Sequence, residues 1–570
     1  MFIYLINKRY LYIMLNKFDV IRSFAVKKRG IITGAFFTGV ISTGCSVIIP
    51  LFIGQYYNIV FHSQSSRGAI FEKLFGHIEN VTFFLIVFGL FLLFRLVFTF
   101  LEKYFIGLTG ESFANTIRQQ LFSKQLHTEL NTFESKDTGV YLLRYSGDLK
   151  SVQDYLTKGI IQFCYDCFFM LGAFILLYIL NAQLAFIFVL AIPVLLITNA
   201  ILNKRLKAIT GQRRNLKSRN LAFVATRLKS VLTIKLFNRE SIEADKYNKR
   251  STELFKIGKK YQAIAAFMQA LYPFILYSSL LAILWVAYLQ VNSDTKTIDG
   301  STLVTFIMLV ISIIPVFKRL LKVNMIWVSG NVSFSKLLLL FNANEENKAK
   351  TPKINRIKGS LKAEDISFKY SNDFVLQNIN FTIEPGTITA LVGPQGSGKS
   401  TLFKLITGLY PLDKGKLFLD NYLVADLSKH ILRKNITIVS DNLPLLGRTY
   451  FEAISYSRQE KNRAAGKALL SELGILGGSE NDVLNKQIID GGRNISNGEK
   501  KLLNIARALL TNKKIILMDE PFSDLSPKAI ELVCKCIEKR RSKHTIIIAD
   551  NLNINIAYDN RITLHEKISN

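Results

Sequence analysis

Residues 388–406 read Ile388-Thr389-Ala390-Leu391-Val392-Gly393-Pro394-Gln395-Gly396-Ser397-Gly398-Lys399-Ser400-Thr401-Leu402-Phe403-Lys404-Leu405-Ile406. In order these are a short apolar run, a loop of the form G-x-x-x-x-G-K-[ST] and a helix-like stretch, the setting in which such a loop cradles phosphate. Gly393, Gly396 and Gly398 let the backbone curl so that successive N–H groups and a helix N-terminus face phosphate oxygens. Lys399 brings a point charge toward the β- and γ-phosphates of a nucleotide, and Ser400 offers its hydroxyl to Mg2+. Gln395, Ser397 and Thr401 complete the candidate cradle. The competing reading, a glycine-rich turn without a ligand, loses ground to the motifs further along the chain.

The chain has 570 residues, is 49% hydrophobic and has a mean hydropathy of +0.24, too long for one domain and too apolar for an ordinary soluble protein. Apolar stretches at 31–57, 82–101, 160–180, 184–202, 264–289 and 302–317 are six candidate spans, most long enough to cross ~30 Å of hydrocarbon as helices. The last is short and ends at Lys318-Arg319. Charged stretches at 102–159 and 203–263 divide the spans into pairs. A formal charge of +31 suits either nucleic acid or a membrane protein with basic loops. Its placement favours the membrane: Lys204, Arg205, Lys207, Arg213, Arg214, Lys217 and Arg219 lie between two spans, as the positive-inside bias expects of a cytoplasmic loop. No recognition motif accompanies the charge, so no nucleic-acid partner is expected.

Lys27-Lys28-Arg29 precedes the first span, which puts the N-terminus and both long loops on the cytoplasmic side of the plasma (inner) membrane. Within the second loop Leu221, Val224, Leu228, Val231 and Leu232 recur at helical steps, so the spans are expected to continue as helices beyond the bilayer. Residues 1–20 are apolar but broken by Lys8, Arg9 and Lys17, without a small-residue cleavage site, and do not read as a signal peptide. Arg95 and Asp166 sit inside spans, and two readings stay open: they pair or line a polar cavity, or Arg95 snorkels and Asp166 lies nearer the interface; no substrate contact is assigned to them. Cys164 and Cys167 form a C-x-x-C without a second pair, and the five cysteines read as buried apolar thiols rather than a zinc or redox site. A polar linker at 342–356 divides a membrane domain, 1–341, from a region of alternating β-like and helical runs, 357–570.

From residue 361 to about 562 the motifs fall in an order that resembles the ATP-binding cassette of ABC transporters. With the six spans, the whole chain resembles an exporter-type half-transporter: an all-α six-helix transmembrane domain followed by an α/β P-loop ATP-binding cassette domain. Phe368-Lys369-Tyr370 resembles the family's aromatic platform, implying that Tyr370 stacks on adenine. Ile515-Ile516-Leu517-Met518-Asp519-Glu520 is an apolar strand ending in two carboxylates. The resemblance implies that Asp519 holds Mg2+ through water and that Glu520 polarises the attacking water.

Ile495-Ser496-Asn497-Gly498-Glu499 resembles the L-S-G-G-Q signature, with Ser496 and Gly498 matching. In the family this segment faces the γ-phosphate held by the opposite subunit, and asparagine at 497 is able to occupy the left-handed backbone region there. Asp441 stands where the family places a glutamine near Mg2+, and Asp550 where it places a histidine on the γ-phosphate. Ser523-Asp524-Leu525-Ser526 departs from S-A-L-D. An ionised Asp accepts but does not donate, and repels phosphate, so slow hydrolysis is expected. Residues 133–139, Leu143-Arg144 and Asp148 resemble the first coupling loop of such exporters, and 234–240 the second.

The resemblance implies a subunit of a dimeric transporter in the membrane lipid. It would bind ATP and Mg2+ and export or flip a substrate, paired with a second half-transporter as a homodimer or a heterodimer. The alternative is an ATP-binding, hydrolysis-poor regulatory or structural partner. Cargo stays open among lipids, peptides and drugs.

Overall fold

The structure, a computed structural model, describes residues 16–61, 71, 75–76, 78, 80–134, 141, 144–291, 298–346, 357–370, 374–441, 443–456, 462–475, 483–489, 491–550 and 556–565. Residues 1–15, Leu143, Asn442, Asn551, most of the linker and the 135–139 part of the first loop lie outside the described residues. The chain divides into two compact units: Met1–His127 with Ser135–Ala343, and Thr128–Glu134 with Asn344–Asn570.

The first unit is helical. A short α1 (Lys17–Lys27) precedes α2 (Arg29–Phe61) and α3 (Val81–Leu126). After α4 (Leu130–Glu134), which belongs to the second unit, come α5 (Arg144–Leu180), α6 (Ala182–Lys229), α7 (Val231–Leu236), α8 (Glu240–Val291) and α9 (Gly300–Phe341). Helix α5 contains π-helical turns at Arg144–Asp148 and Thr157–Gln162. Six of these helices are long and apolar enough to cross a membrane. The 46 residues of α3 reach ~69 Å at ~1.5 Å per residue, about twice the hydrocarbon thickness, so the helix continues well past the bilayer as expected. Leu90, Leu93 and Leu96 on α3 are each at least 60% exposed, an apolar exterior that suits lipid rather than water. The turn between α5 and α6 is tight because Asn181 accepts from the backbone of Gln183 and Leu184 while donating to Gln290 Oε1 at 3.2 Å.

Three expectations change here. The sixth span does not stop at Lys318-Arg319: α9 runs on to Phe341, and Arg319 makes a bidentate pair with Asp166 at 2.5 and 3.0 Å. Asp166 therefore pairs with Arg319 and not with Arg95, whose guanidinium reaches Ser46 Oγ at 3.3 Å. Cys45, Cys534 and Cys536 are buried, but Cys164 and Cys167 are exposed on α5, so those two are not the buried thiols that the apolar span suggests.

The second unit carries two sheets. The antiparallel one has order β2-β1-β4-β5, from β1 (Leu361–Lys369), β2 (Phe374–Ile383), β4 (Lys414–Leu419) and β5 (Tyr422–Leu423). The parallel one has order β6-β7-β8-β3-β9, from β3 (Ile388–Val392), β6 (Ile436–Val439), β7 (Ile515–Asp519), β8 (Thr545–Ala549) and β9 (Asn560–Thr563). Strands β3, β7 and β8 read as continuous apolar runs because helices cover both faces of a parallel sheet. Helices in this unit are α10 (Lys399–Ile406), α11 (Lys429–Asn435), α12 (Tyr450–Ser455), α13 (Arg463–Glu472), α14 (Asn497–Leu510) and α15 (Pro527–Glu538). Segment Thr128–Glu134 packs here too: Leu130 lies against the core that holds Phe403 and Leu432, Thr128 pairs with Glu345, and Glu129 N donates to Asn344 O at 3.2 Å.

Candidate functional site

Ligands of open α/β sheets bind where the parallel strands end, and four motif segments follow such ends here. The glycine loop follows β3, Ser440-Asp441 follows β6, Glu520 follows β7 and Asp550 follows β8, on four strands of one sheet. Gly398, at φ +94°, caps α10, and a Cβ there would come within 2.8 Å of Leu376 Cδ2. Gly393 is as constrained, since a Cβ would meet Ser397 Oγ at 2.6 Å. Only glycine fits these two positions. Inside the loop Lys399 Nζ donates to the carbonyls of Gly393 and Pro394 at 2.6 and 3.1 Å. Ser397 Oγ is buried with no hydrogen-bond partner among the described residues, a polar atom aimed into a loop built for phosphate.

Ser400 at the start of α10 lies beside Asp519 at the end of β7, close enough for its hydroxyl to favour the charged carboxylate. Burial pushes the Asp519 carboxyl above its usual range, and the charge of Asp441 adds to this, while Ser400, Lys399 and Lys501 pull the other way. Lys399, Ser400, Asp441 and Asp519 are thus brought together, with Glu520 the next residue. The Glu520 backbone sits at φ +48° and its N–H donates to Ala549 O at 2.8 Å, fixing the peptide between β7 and β8. A hydroxyl and a carboxylate side by side beneath a phosphate loop are hard oxygen donors of the kind that Mg2+ takes along with phosphate, so these residues fit the ion.

Tyr370 follows β1, is half exposed, and lies edge-on to Phe368 and Tyr410 with ring centroids 5.0 and 5.4 Å away. Its hydroxyl is 3.3 Å from Thr401 Oγ1, which joins it to the phosphate loop. Gln395 and Gly396 are exposed at the loop tip.

Ser496 caps α14, accepting from Glu499 N at 3.1 Å. Asn497 is the first helical residue and has no positive φ, so the left-handed region open to asparagine is not used and the residue fits without strain. Glu499 turns inward, accepting from Tyr450 Oη at 2.6 Å and Lys486 Nζ at 2.8 Å. Burial opposes its ionisation, but those two donors and the Ser496 backbone N–H hold its carboxyl below the usual range. Ser496 and Gly498 share no contact with the Lys399 loop among the described residues. Gly498 lies beside Asp524, whose carbonyl a Cβ would meet at 3.0 Å. Ser526 caps α15 with Pro527 at its first turn, so serine there still serves as a helix cap. Asp550 Oδ2 accepts from Phe522 N at 3.4 Å.

The profile of the ABC transporter transmembrane region matches residues 32–314, and that of the ABC transporter cassette matches residues 376–523. The chain belongs to the ABC transporter family. This ABC transporter is 27% identical over 476 residues to the ATP-dependent lipid A-core flippase of Wigglesworthia glossinidia brevipalpis, spanning 82% of this chain and 81% of that protein. It is 26% identical over 479 residues to the flippase of the same name from Salmonella typhimurium, again over 82% and 81%. A bacterial Atm1-family ABC exporter with ATP bound shares the fold, with a TM-score of 0.80 at 18% identity over 94% of this chain and 93% of that one. The ABC transporter is therefore an exporter-type half-transporter, a nucleotide-binding ATPase coupled to transport and a multi-pass membrane protein.

Sequence reading missed Lys501. Its Nζ lies 2.5 Å from Asp441 Oδ1 and also donates to Glu520 O and Ser523 Oγ. A signal existed: Lys501 stands at i, with Ile505 and Ala508 at i+4 and i+7, on the buried stripe of α14.

Proposed function

We propose that the ABC transporter works as a dimer of half-transporters in the plasma (inner) membrane, cassettes in the cytoplasm, and uses Mg·ATP to flip or export a lipid-like amphiphile. One observation carries the ATP part: Lys399, Ser400, Asp519 and Asp441 meet beside Glu520 at the ends of neighbouring parallel strands. Glycine-loop N–H groups, Ser397 and Lys399 bind the phosphates, and Tyr370 covers the base. Ser400 and Asp519 would hold Mg2+, which when bound would supply positive charge against the charge developing on the phosphate. Glu520 orients and polarises the attacking water. Ser496 and Gly498, exposed or half-exposed at the start of α14, serve the phosphates of the second half-transporter. Leu232 and Leu236 on helix α7 and Phe237 just after it are about 70% exposed in and beside the second coupling segment, and the partner's cassette covers them. On this reading the domains are 1–341, a linker 342–356 and 357–570; the compact units divide at Ala343, and segment 128–134 belongs with the cassette unit.

The cargo reading rests on the flippase relatives. Reconstituted into liposomes containing a short-chain fluorescent lipid, the wild-type protein is expected to expose the label to an external quencher faster with Mg·ATP than without. Equal rates under both conditions contradict a lipid cargo.

A further inference from the structure

Lys501 is 2% exposed, although it is a lysine on a surface-type helix. Burying an ammonium is strongly unfavourable unless it is paired and fully hydrogen-bonded. Lys501 meets that condition: its three N–H donors have three acceptors, Asp441 Oδ1 at 2.5 Å, Glu520 O at 2.8 Å and Ser523 Oγ at 2.9 Å. Ser523 Oγ in turn donates to Glu520 O at 2.9 Å. One cation thus ties together the segment after β6, the end of β7 and the loop leading to α15. The peptide it holds is the one with φ +48°, where a non-glycine residue persists only when its surroundings fix it.

We propose that Lys501 is a positioning residue for hydrolysis: its ammonium offsets the Asp441 carboxylate at the edge of the metal site and clamps the peptide that carries Glu520. Asp441 is a poor neighbour for Asp519 and for phosphate when its charge stands alone. Paired with Lys501, it adds little net charge, and its half-exposed carboxylate is held at a fixed place beside Asp519. Lys501 makes no approach to the Lys399 loop among the described contacts, so it acts on the rate through Glu520 and Asp441 and not by binding nucleotide. The proposal rests on the roles of Glu520 and Asp519 given above.

The test is the steady-state ATPase of the full-length protein in lipid nanodiscs at saturating Mg2+, for wild type, K501Q, D441N, K501Q/D441N and E520Q. Each of K501Q and D441N is expected to lower kcat roughly ten- to a hundredfold, the scale on which displaced reacting groups lose rate. For K501Q the KM for ATP stays within about threefold of wild type, because only the transition state feels the change. The double variant is expected to be no slower than the slower single, since both substitutions remove one shared interaction. Wild-type kcat in K501Q, a loss expressed mainly in KM, or a double variant slower by the product of the single effects overturns the proposal. Should K501Q fail to fold, D441N carries the test from a half-exposed side chain, and an unchanged kcat there overturns it as well. E520Q separates the two levels: an inactive E520Q beside a fully active K501Q defeats this proposal alone, and an E520Q as fast as wild type defeats the hydrolytic reading with it.

Discussion

Asp550, at the end of β8, is the side chain least suited to phosphate chemistry in this cassette. Its carboxylate accepts from Phe522 N at 3.4 Å, and it cannot donate to a γ-phosphate as the family's histidine does. Two like charges ~4 Å apart repel by roughly 4 kcal/mol at an effective dielectric of ~20, an upper bound because solvent and Mg2+ screen the pair. Asp550→His is therefore expected to raise kcat about tenfold or more, read as ATPase rate at fixed Mg·ATP, and an unchanged or lower rate contradicts the repulsion. Asp441 looked equally adverse in the sequence, yet Lys501 offsets it. The difference explains what was legible. The phosphate loop, Asp519 and Glu520 were readable because each motif is local in the chain. The Lys501 network was not, because its partners lie 19 and 22 residues downstream and, at Asp441, further still upstream.

Elements repeat the contrast. Strands β3 and β7 fall where the apolar runs placed them, and the six spans were visible from composition because ~20 apolar residues have few other uses. The end of α9 was not visible, since Lys318-Arg319 reads as a stop until the partner of Arg319 is known. Asp166 on α5 is 1% exposed and has Arg319 as its counter-charge, so the pair fastens α5 to α9. Arg319→Met leaves a buried carboxylate unpaired and is expected to cost about 3 to 5 kcal/mol, lowering the thermal unfolding midpoint in detergent. Asp166→Leu combined with Arg319→Met is expected to recover most of that loss, because two apolar groups replace two charges. A double variant no more stable than Arg319→Met alone argues against the ion pair as the cause.

At the scale of the molecule, the chain joins a helical unit with an apolar exterior to a cassette unit, and the cassette unit takes in segment 128–134, which follows α3 directly. In the proposed mechanism that covalent continuity would give nucleotide chemistry a route to the long helices, because closure of a cassette would move whatever packs on Phe403 and Leu432. In the proposed dimer, a second half-transporter would bring its own Ser496 to the Lys399 loop. The central claim is that this chain turns over ATP at the loop following β3 with Glu520 as its base. The most direct measurement is Mg2+-dependent ATPase of the full-length protein in nanodiscs, wild type beside Glu520→Gln, together with Mg·ATP binding to both. Loss of a general base costs roughly a hundredfold or more, so Glu520→Gln is expected to bind Mg·ATP as tightly as wild type while its rate falls by that factor; equal rates in the two proteins would contradict the claim.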